Sequence, residues 1–334
     1  MSQSTVPVRN VCLIGCGVIC RNHLEVLSRM EDVRLCAVCD IIPERAQKAA
    51  AQYHCKAYTD YRVMLEEIRP DAVHVCLPHF LHAPVSVDCM LRGADVLCEK
   101  PMHSDYEGAL SMKETAKKTG RRLGIIFQNR YNSGSVFARD AIREGKIGRV
   151  LGITATVMWH RDDAYYASDE WRGRYETAGG GVLINQAIHT LDLMRWLADS
   201  EVESVKATVS HHGLTRAEVE DTSEGVILFE NGVRGLYYFS INNSFDDSIS
   251  VKVHGERGNI HICGSRARLT DAQGNVLEDE EHKAPNFSPK AVYGTGHALQ
   301  IDEFYHHPEK VEQTMENALK TQKLIRDIFE SAGP

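Results

Sequence analysis

The chain has 334 residues, enough for two domains with substantial cores. Its formal net charge of −8 and isoelectric point of about 6.1 exclude a broad cationic face for nucleic acid or anionic lipid. No apolar run approaches the roughly 20 residues of a membrane span, and residues 1–10 lack the apolar core of a signal peptide. A cytoplasmic protein without nucleic-acid or membrane partners is expected.

The first element is an apolar strand, Val11 to Ile14, running straight into Gly15-Cys16-Gly17. A helical pattern with apolar residues at Cys20, Leu24 and Leu27 follows, then a strand from Val33 to Cys39 that ends in Asp40. Strand, glycine turn, helix, strand and acid make the first half of a dinucleotide-binding βαβ unit. Gly15 permits the tight turn, and Gly17 lets a pyrophosphate approach the backbone of Cys16, Val18 and Ile19 at the helix start. Asp40 is placed to take the ribose hydroxyls. The third glycine of the usual pattern is replaced by Cys20, still small enough for close helix–strand packing. Ile41 and Ile42 follow Asp40 with no Arg or Ser to hold a 2′-phosphate, so the expected cofactor is NAD rather than NADP.

Alternation continues: helices over Pro43–Tyr53 and Tyr61–Ile68, a strand from Ala72 to Leu77 stopping at Pro78, and a helix from Pro84 to Leu91. A strand over Asp95–Cys98 runs into Glu99-Lys100-Pro101, a helix spans Asp105–Thr119, and a last strand covers Leu123–Phe127. This pattern predicts an α/β, doubly wound parallel sheet, the Rossmann arrangement, over residues 1–127. Ligands on such sheets bind at the carboxyl ends of strands, where Leu77, Pro78, His79, His82, Glu99, Lys100 and Gln128 join the cofactor-binding candidates. Residues 128–334 form a second, α+β domain, its strands Val150–Trp159, Val202–Ser210, Ser223–Phe229, Val233–Ile241, Ile249–His254 and Asn259–Cys263 giving a large open, mostly antiparallel sheet. Asn231-Gly232 marks a hairpin, and Leu299–Phe329 is mostly helical, with a terminal helix that can pack back on the first domain.

Nine of the ten cysteines precede residue 99, most of them on predicted strands. Cys36 and Cys39 have the spacing of a ligand pair, but residues three apart on a strand face opposite ways. The expected state is small buried hydrophobes in a reducing compartment, with no metal and no disulfide.

Gly179-Gly180-Gly181 precedes a predicted helix from Val182 to Ala198. Ile184, Ala187, Ile188, Leu191 and Met194 form its buried stripe, and Asn185, His189, Asp192 and Trp196 a second one. Where a surface helix carries Lys and Glu, this file of polar and aromatic groups points to a lined cavity. The competing reading is that His189 donates to Asp192 and only ties the helix down. Lys100 likewise reads either as a solvated strand end or as an amine held beside the cofactor, able to stabilise a developing alkoxide. Arg130, Arg161, Tyr165, Tyr166, Trp171 and Arg172 offer donors and aromatic faces suited to a sugar, or equally to an interdomain or subunit contact.

Taken in order, Gly15-x-Gly17, Leu77-Pro78 to His82, Glu99-Lys100-Pro101, Gly179-Gly180-Gly181 with His189 and Asp192, and the Tyr293-Gly-x-Gly-His297 stretch resemble the glucose–fructose oxidoreductase/inositol dehydrogenase (Gfo/Idh/MocA) family. The resemblance implies NAD(P)-dependent hydride transfer at a secondary alcohol of a sugar, sugar derivative or cyclitol, and homodimers or homotetramers formed through the open sheet. It makes His189 the general base, with Lys100 and Asn185 as its catalytic companions and Asn185 and His189 also touching substrate. Many polyol dehydrogenases of the family carry Asp where this chain has Asn185, which leaves the substrate open. An NAD-assisted glycosidase or lyase working through transient oxidation would use the same residues, and a non-catalytic NAD-binding sensor would need neither Lys100 nor His189.

Overall fold

The computed structural model describes residues 8–264, 266–281 and 296–333. Residues 293–295 of the C-terminal motif lie outside the described residues. The chain divides into two compact units: Met1–His103, Glu107–Ile126 and His297–Glu316 in one, Ser104–Tyr106, Phe127–Gly296 and Asn317–Pro334 in the other.

The first unit is built on six parallel strands: β1 (Arg9–Ile14), β2 (Val33–Cys39), β3 (Lys56–Tyr58), β4 (Ala72–Val75), β5 (Asp95–Cys98) and β6 (Leu123–Ile125), in the order β3-β2-β1-β4-β5-β6. Val11 to Ile14 and all of β4 are buried, as central strands covered on both faces must be. The order reverses between β1 and β4, the switch point at which such sheets bind ligands. Ile301, Phe304 and Tyr305, from the helix Gly296–His306, join Val11, Leu27, Val33, Ala72 and Leu97 in one core. The helix expected from Pro84 begins at His79 instead. Pro84 deletes only the bond to the Phe80 carbonyl near the helix start, so it does not mark the beginning.

Among the described residues the second unit carries eight strands: β7 (Val150–Met158), β8 (Val202–Ser210), β9 (Thr222–Phe229), β10 (Arg234–Ser240), β11 (Ser250–Gly255), β12 (Gly258–Cys263), β13 (Arg266–Asp271) and β14 (Val276–Glu281). Their order is β14-β13-β12-β11-β7-β10-β9-β8, with β7–β10 the one parallel pair. Alternation buries Ile153, Ala155, Val157, Tyr237, Phe239, Val251 and Val253 on one face and leaves Val226, Leu236 and Tyr238 exposed on the other. The Asn231-Gly232 hairpin is a three-residue loop: Gly232 donates to the Phe229 carbonyl and, at φ +84°, closes it in the left-handed region. All ten cysteines carry free thiols, and only Cys263 is exposed.

Candidate active site

In the first unit the glycine turn is built around backbone. Gly15 has φ +98°, and a Cβ there would lie 2.3 Å from the Cys76 carbonyl oxygen, so no other residue fits. A Cβ on Gly17 would instead project into open space. The helix Cys20–Leu27 that follows has no side-chain cap at its start, leaving N–H groups for a phosphate. Asp40, nearly buried, accepts from the Cys16 N–H at 2.8 Å and the Ile42 N–H at 2.9 Å, which ties the turn to the end of β2. Its remaining lone pairs can receive ribose hydroxyls. An open cradle, an uncapped helix start and an anchored acid fit a dinucleotide. Ile41 and Ile42 are exposed and Arg45 lies within the next helix, so nothing beside Asp40 offsets the repulsion of a 2′-phosphate. Titration should show NAD binding at least about tenfold tighter than NADP; the reverse order would contradict this geometry.

Lys100 stands where β5 ends. His82, fully buried in the helix His79–Leu91, puts Nδ1 2.7 Å from the Pro101 carbonyl and Nε2 2.7 Å from the Leu77 carbonyl. Both partners are acceptors and burial disfavours the imidazolium, so the ring donates to one carbonyl at a time; both nitrogens lie against backbone at the ends of β4 and β5, which corrects the sequence expectation for His82. Glu99 needs the same correction. It is buried and its carboxylate accepts from His23 Nε2 at 2.9 Å and His297 Nε2 at 3.1 Å. Leu77, Pro78 and His79 stay at the strand end, with the Leu77 side chain packed against the glycine turn. Gln128, assigned to the second unit, is buried, and its Oε1 has no hydrogen-bond partner among the described residues.

In the second unit the predicted helix over 182–198 is two pieces. Val182–Gln186 winds wider, the Ala187 N–H reaching back to the Val182 carbonyl, and a regular helix runs from Ile188 to Ala198. Such widened turns recur at functional sites, and the extra residue breaks the regular spacing of Asn185 and His189. The glycines serve the chain's own packing: a Cβ on Gly179 would sit 1.9 Å from the Ser104 carbonyl oxygen, and one on Gly181 equally close to that of Glu220. His189 lies in the first turn, its ring edge-on to Phe127 at 5.5 Å. Asp192 does not serve it in the way the competing reading supposed. Arg130 grips Asp192 through both oxygens at 2.6 and 2.8 Å, Thr321 donates a third bond at 2.8 Å, and Trp196 covers the guanidinium. Arg130, expected to meet substrate, is committed to this pair instead.

Asn185 donates through Nδ2 to the Tyr165 hydroxyl at 3.2 Å, and Arg172 donates to the same oxygen at 2.5 Å. Arg161 and Arg172 both lie over the Tyr165 ring, and each also lies over a tryptophan, Arg161 over Trp159 and Arg172 over Trp171. Tyr165, which the sequence groups with Tyr166 as a candidate sugar-facing ring, is thus the partner of Asn185. Its neighbour Tyr166, expected at the substrate, is buried in the core with its ring edge-on to Tyr165. Glu220, missed by sequence reasoning, accepts from the N–H groups of Gly181 at 2.8 Å and Leu183 at 3.0 Å and so caps the widened turn. Burial pushes its pKa up to about 7 in spite of those donors. A carboxyl raised above its unfolded value of 4.5 contributes stability below that pH and loses it as pH rises through about 7. Wild-type stability should therefore fall between pH 4.5 and 7 relative to Glu220→Gln, by at most about 3 kcal/mol; parallel pH curves for the two proteins would contradict this.

A switch-point glycine cradle with its ribose acid, beside a strand end carrying lysine, defines a dinucleotide-dependent oxidoreductase. The chain belongs to the Gfo/Idh/MocA family: residues 9–127 match the oxidoreductase family's NAD-binding Rossmann fold, and residues 136–261 its GFO/IDH/MocA C-terminal domain. It is similar to the myo-inositol 2-dehydrogenase of Thermotoga maritima, 29% identical over 79% of this chain and 78% of that protein. Similarity to the D-glucoside 3-dehydrogenase of Escherichia coli K12 is 26% identity over 99% of this chain and 97% of the relative. Among solved structures, the WlbA dehydrogenase of Bordetella pertussis, in complex with NADH and UDP-GlcNAcA, superimposes with a TM-score of 0.82 at 28% identity, covering 97% of this chain and 96% of that one. The protein is an NAD-binding oxidoreductase acting on CH–OH groups, with sugar and cyclitol dehydrogenases among its relatives. No described helix is long and apolar enough to cross a membrane.

Proposed function

We propose that the protein is a cytoplasmic NAD-dependent dehydrogenase that oxidises one secondary hydroxyl of a pyranose sugar, a sugar derivative or a cyclitol to the ketone. The observation that carries this reading is the array around Asn185: an amide, a phenol and two guanidiniums interleaved with Trp159, Tyr165 and Trp171. Hydroxyl-binding groups alternate with flat apolar faces, as the edges and faces of a sugar ring demand. The named relatives act on a glucoside and on myo-inositol, both polyhydroxylated rings.

His189 accepts the hydroxyl proton as general base. Lys100 donates to the same oxygen and stabilises its developing negative charge. Asn185 orients a substrate hydroxyl, and Arg161, Trp171 and Arg172 shape the pocket for the ring. Bound NAD supplies the hydride acceptor. The Gly15–Ile19 turn and Asp40 would hold it, with Leu77, Pro78, His79 and Gln128 as further cofactor-binding residues.

Screening sugars, glycosides and cyclitols for NADH formation tests the proposal. At least one should give stoichiometric NADH and a ketone; release of an aglycone without net NADH would overturn it in favour of transient oxidation.

The exposed sheet face carrying Val226, Leu236 and Tyr238 is the surface through which the protein forms its homodimer or homotetramer. Light scattering should show an oligomer for the wild type and a monomer for Leu236→Glu/Tyr238→Glu; a monomeric wild type would contradict this.

A further inference from the structure

Six buried side chains of the first unit form a chain of hydrogen bonds that the proposed reaction does not use. The Tyr305 hydroxyl lies 2.8 Å from His74 Nε2, His74 Nδ1 lies 2.7 Å from His23 Nδ1, and His23 Nε2 lies 2.9 Å from Glu99 Oε1. From the other side His297 Nε2 meets the same oxygen at 3.1 Å, and the Asn22 amide meets His297 Nδ1 at 3.4 Å. The residues come from four separate segments, and all are at most 5% exposed.

With neutral rings and an ionised carboxylate, one assignment of protons satisfies every contact. A carboxylate only accepts, so His23 and His297 both carry their proton on Nε2. His23 Nδ1 is then an acceptor, which puts the proton of His74 on Nδ1. His74 Nε2 in turn accepts from the Tyr305 hydroxyl, and His297 Nδ1 from Asn22. Burial pushes His23 and His74 down, keeping the rings neutral. Burial alone would raise the Glu99 carboxyl, but the two imidazole donors outweigh it and hold it well below its ordinary value.

Glu99 is also the residue before Lys100. Its own N–H is fixed to the Val75 carbonyl at 3.0 Å, and its second oxygen faces the Lys100 backbone N–H at 3.3 Å. The chain therefore terminates on the backbone that presents Lys100.

We propose that Tyr305, His74, His23 and His297 are positioning residues of the reaction, a directional hydrogen-bond chain that keeps Glu99 ionised and through it sets the backbone from which Lys100 reaches the substrate oxygen. This rests on the assignment of Lys100 to that oxygen. In this assignment His23 and His297 donate to Glu99; a metal held by the same three residues would displace both Nε2 protons, so the zinc content of the purified protein decides between the two.

His23→Leu removes the donor at similar volume, whereas His23→Gln supplies an amide N–H in its place. The Leu variant should keep NAD affinity, measured by fluorescence, and lose about 10- to 100-fold in kcat, with the Gln variant recovering most of it. His23→Leu should cost nothing further in a Lys100→Met background, because both act through one group. Tyr305→Phe tests the far end with little disturbance of packing: histidine ¹⁵N NMR should show His74 protonated on Nδ1 in the wild type and, because the His23 Nδ1 acceptor remains, in the variant as well. Wild-type rates in His23→Leu, multiplicative losses with Lys100→Met, a wild-type His74 protonated on Nε2, or stoichiometric zinc in the purified protein would each overturn the proposal. A fully active Lys100→Met variant would instead remove the assignment beneath it while leaving the His74 tautomer as found. If His23→Leu fails to fold, Tyr305→Phe and the His74 spectrum decide.

Discussion

Replacing His189 with alanine should lower kcat by about 10²–10⁴-fold while leaving NAD affinity unchanged. The imidazole lies in the first turn of a buried helix, steadied by Phe127, and Asp192 is already held by Arg130 and Thr321. A histidine whose purpose was to tie down this helix would be expected to bond Asp192, and its loss would show in stability more than in turnover. Comparison of melting temperature and kcat separates the two. A cold, destabilised variant with normal kcat when folded would return His189 to a structural role.

Lys100→Met should also lower kcat, by about 10²–10³-fold, the usual effect of deleting one donor to a developing oxyanion. Methionine keeps the length and apolar stem, and His82 stays against the Leu77 and Pro101 carbonyls, so the strand end remains in place. KM should change much less than kcat if the lysine acts mainly as charge develops. A raised KM with unchanged kcat would mean instead that Lys100 only helps to hold substrate.

Most of the first unit was legible because its central strands are short apolar runs punctuated by glycine, proline and acid. The elements that escaped lack that signal. β3 is three residues with little burial, and β13 and β14 are rich in Arg, Asp and Glu, the charge that shields sheet edges. The widened turn at Val182–Gln186 depends on a hydrogen-bond pattern that residue types do not reveal. In the site, Gly15 and Asp40 were readable because turn chemistry is local. Arg130 was misread because its partner Asp192 is distant in sequence, and Tyr166 because one step along a short helix exchanges a buried ring for a site-facing one. The histidines around Glu99 come from separate segments, and only the folded chain brings them together.

The central claim is that hydride passes between a ring carbon and NAD, and isotopic transfer tests it most directly. With a substrate found in the sugar and cyclitol screen and deuterated at the reacting carbon, the isolated NADH should carry one deuterium per ketone formed. Ketone without deuterium in the nicotinamide, or deuterium returned to a cleaved product with no net NADH, would contradict it.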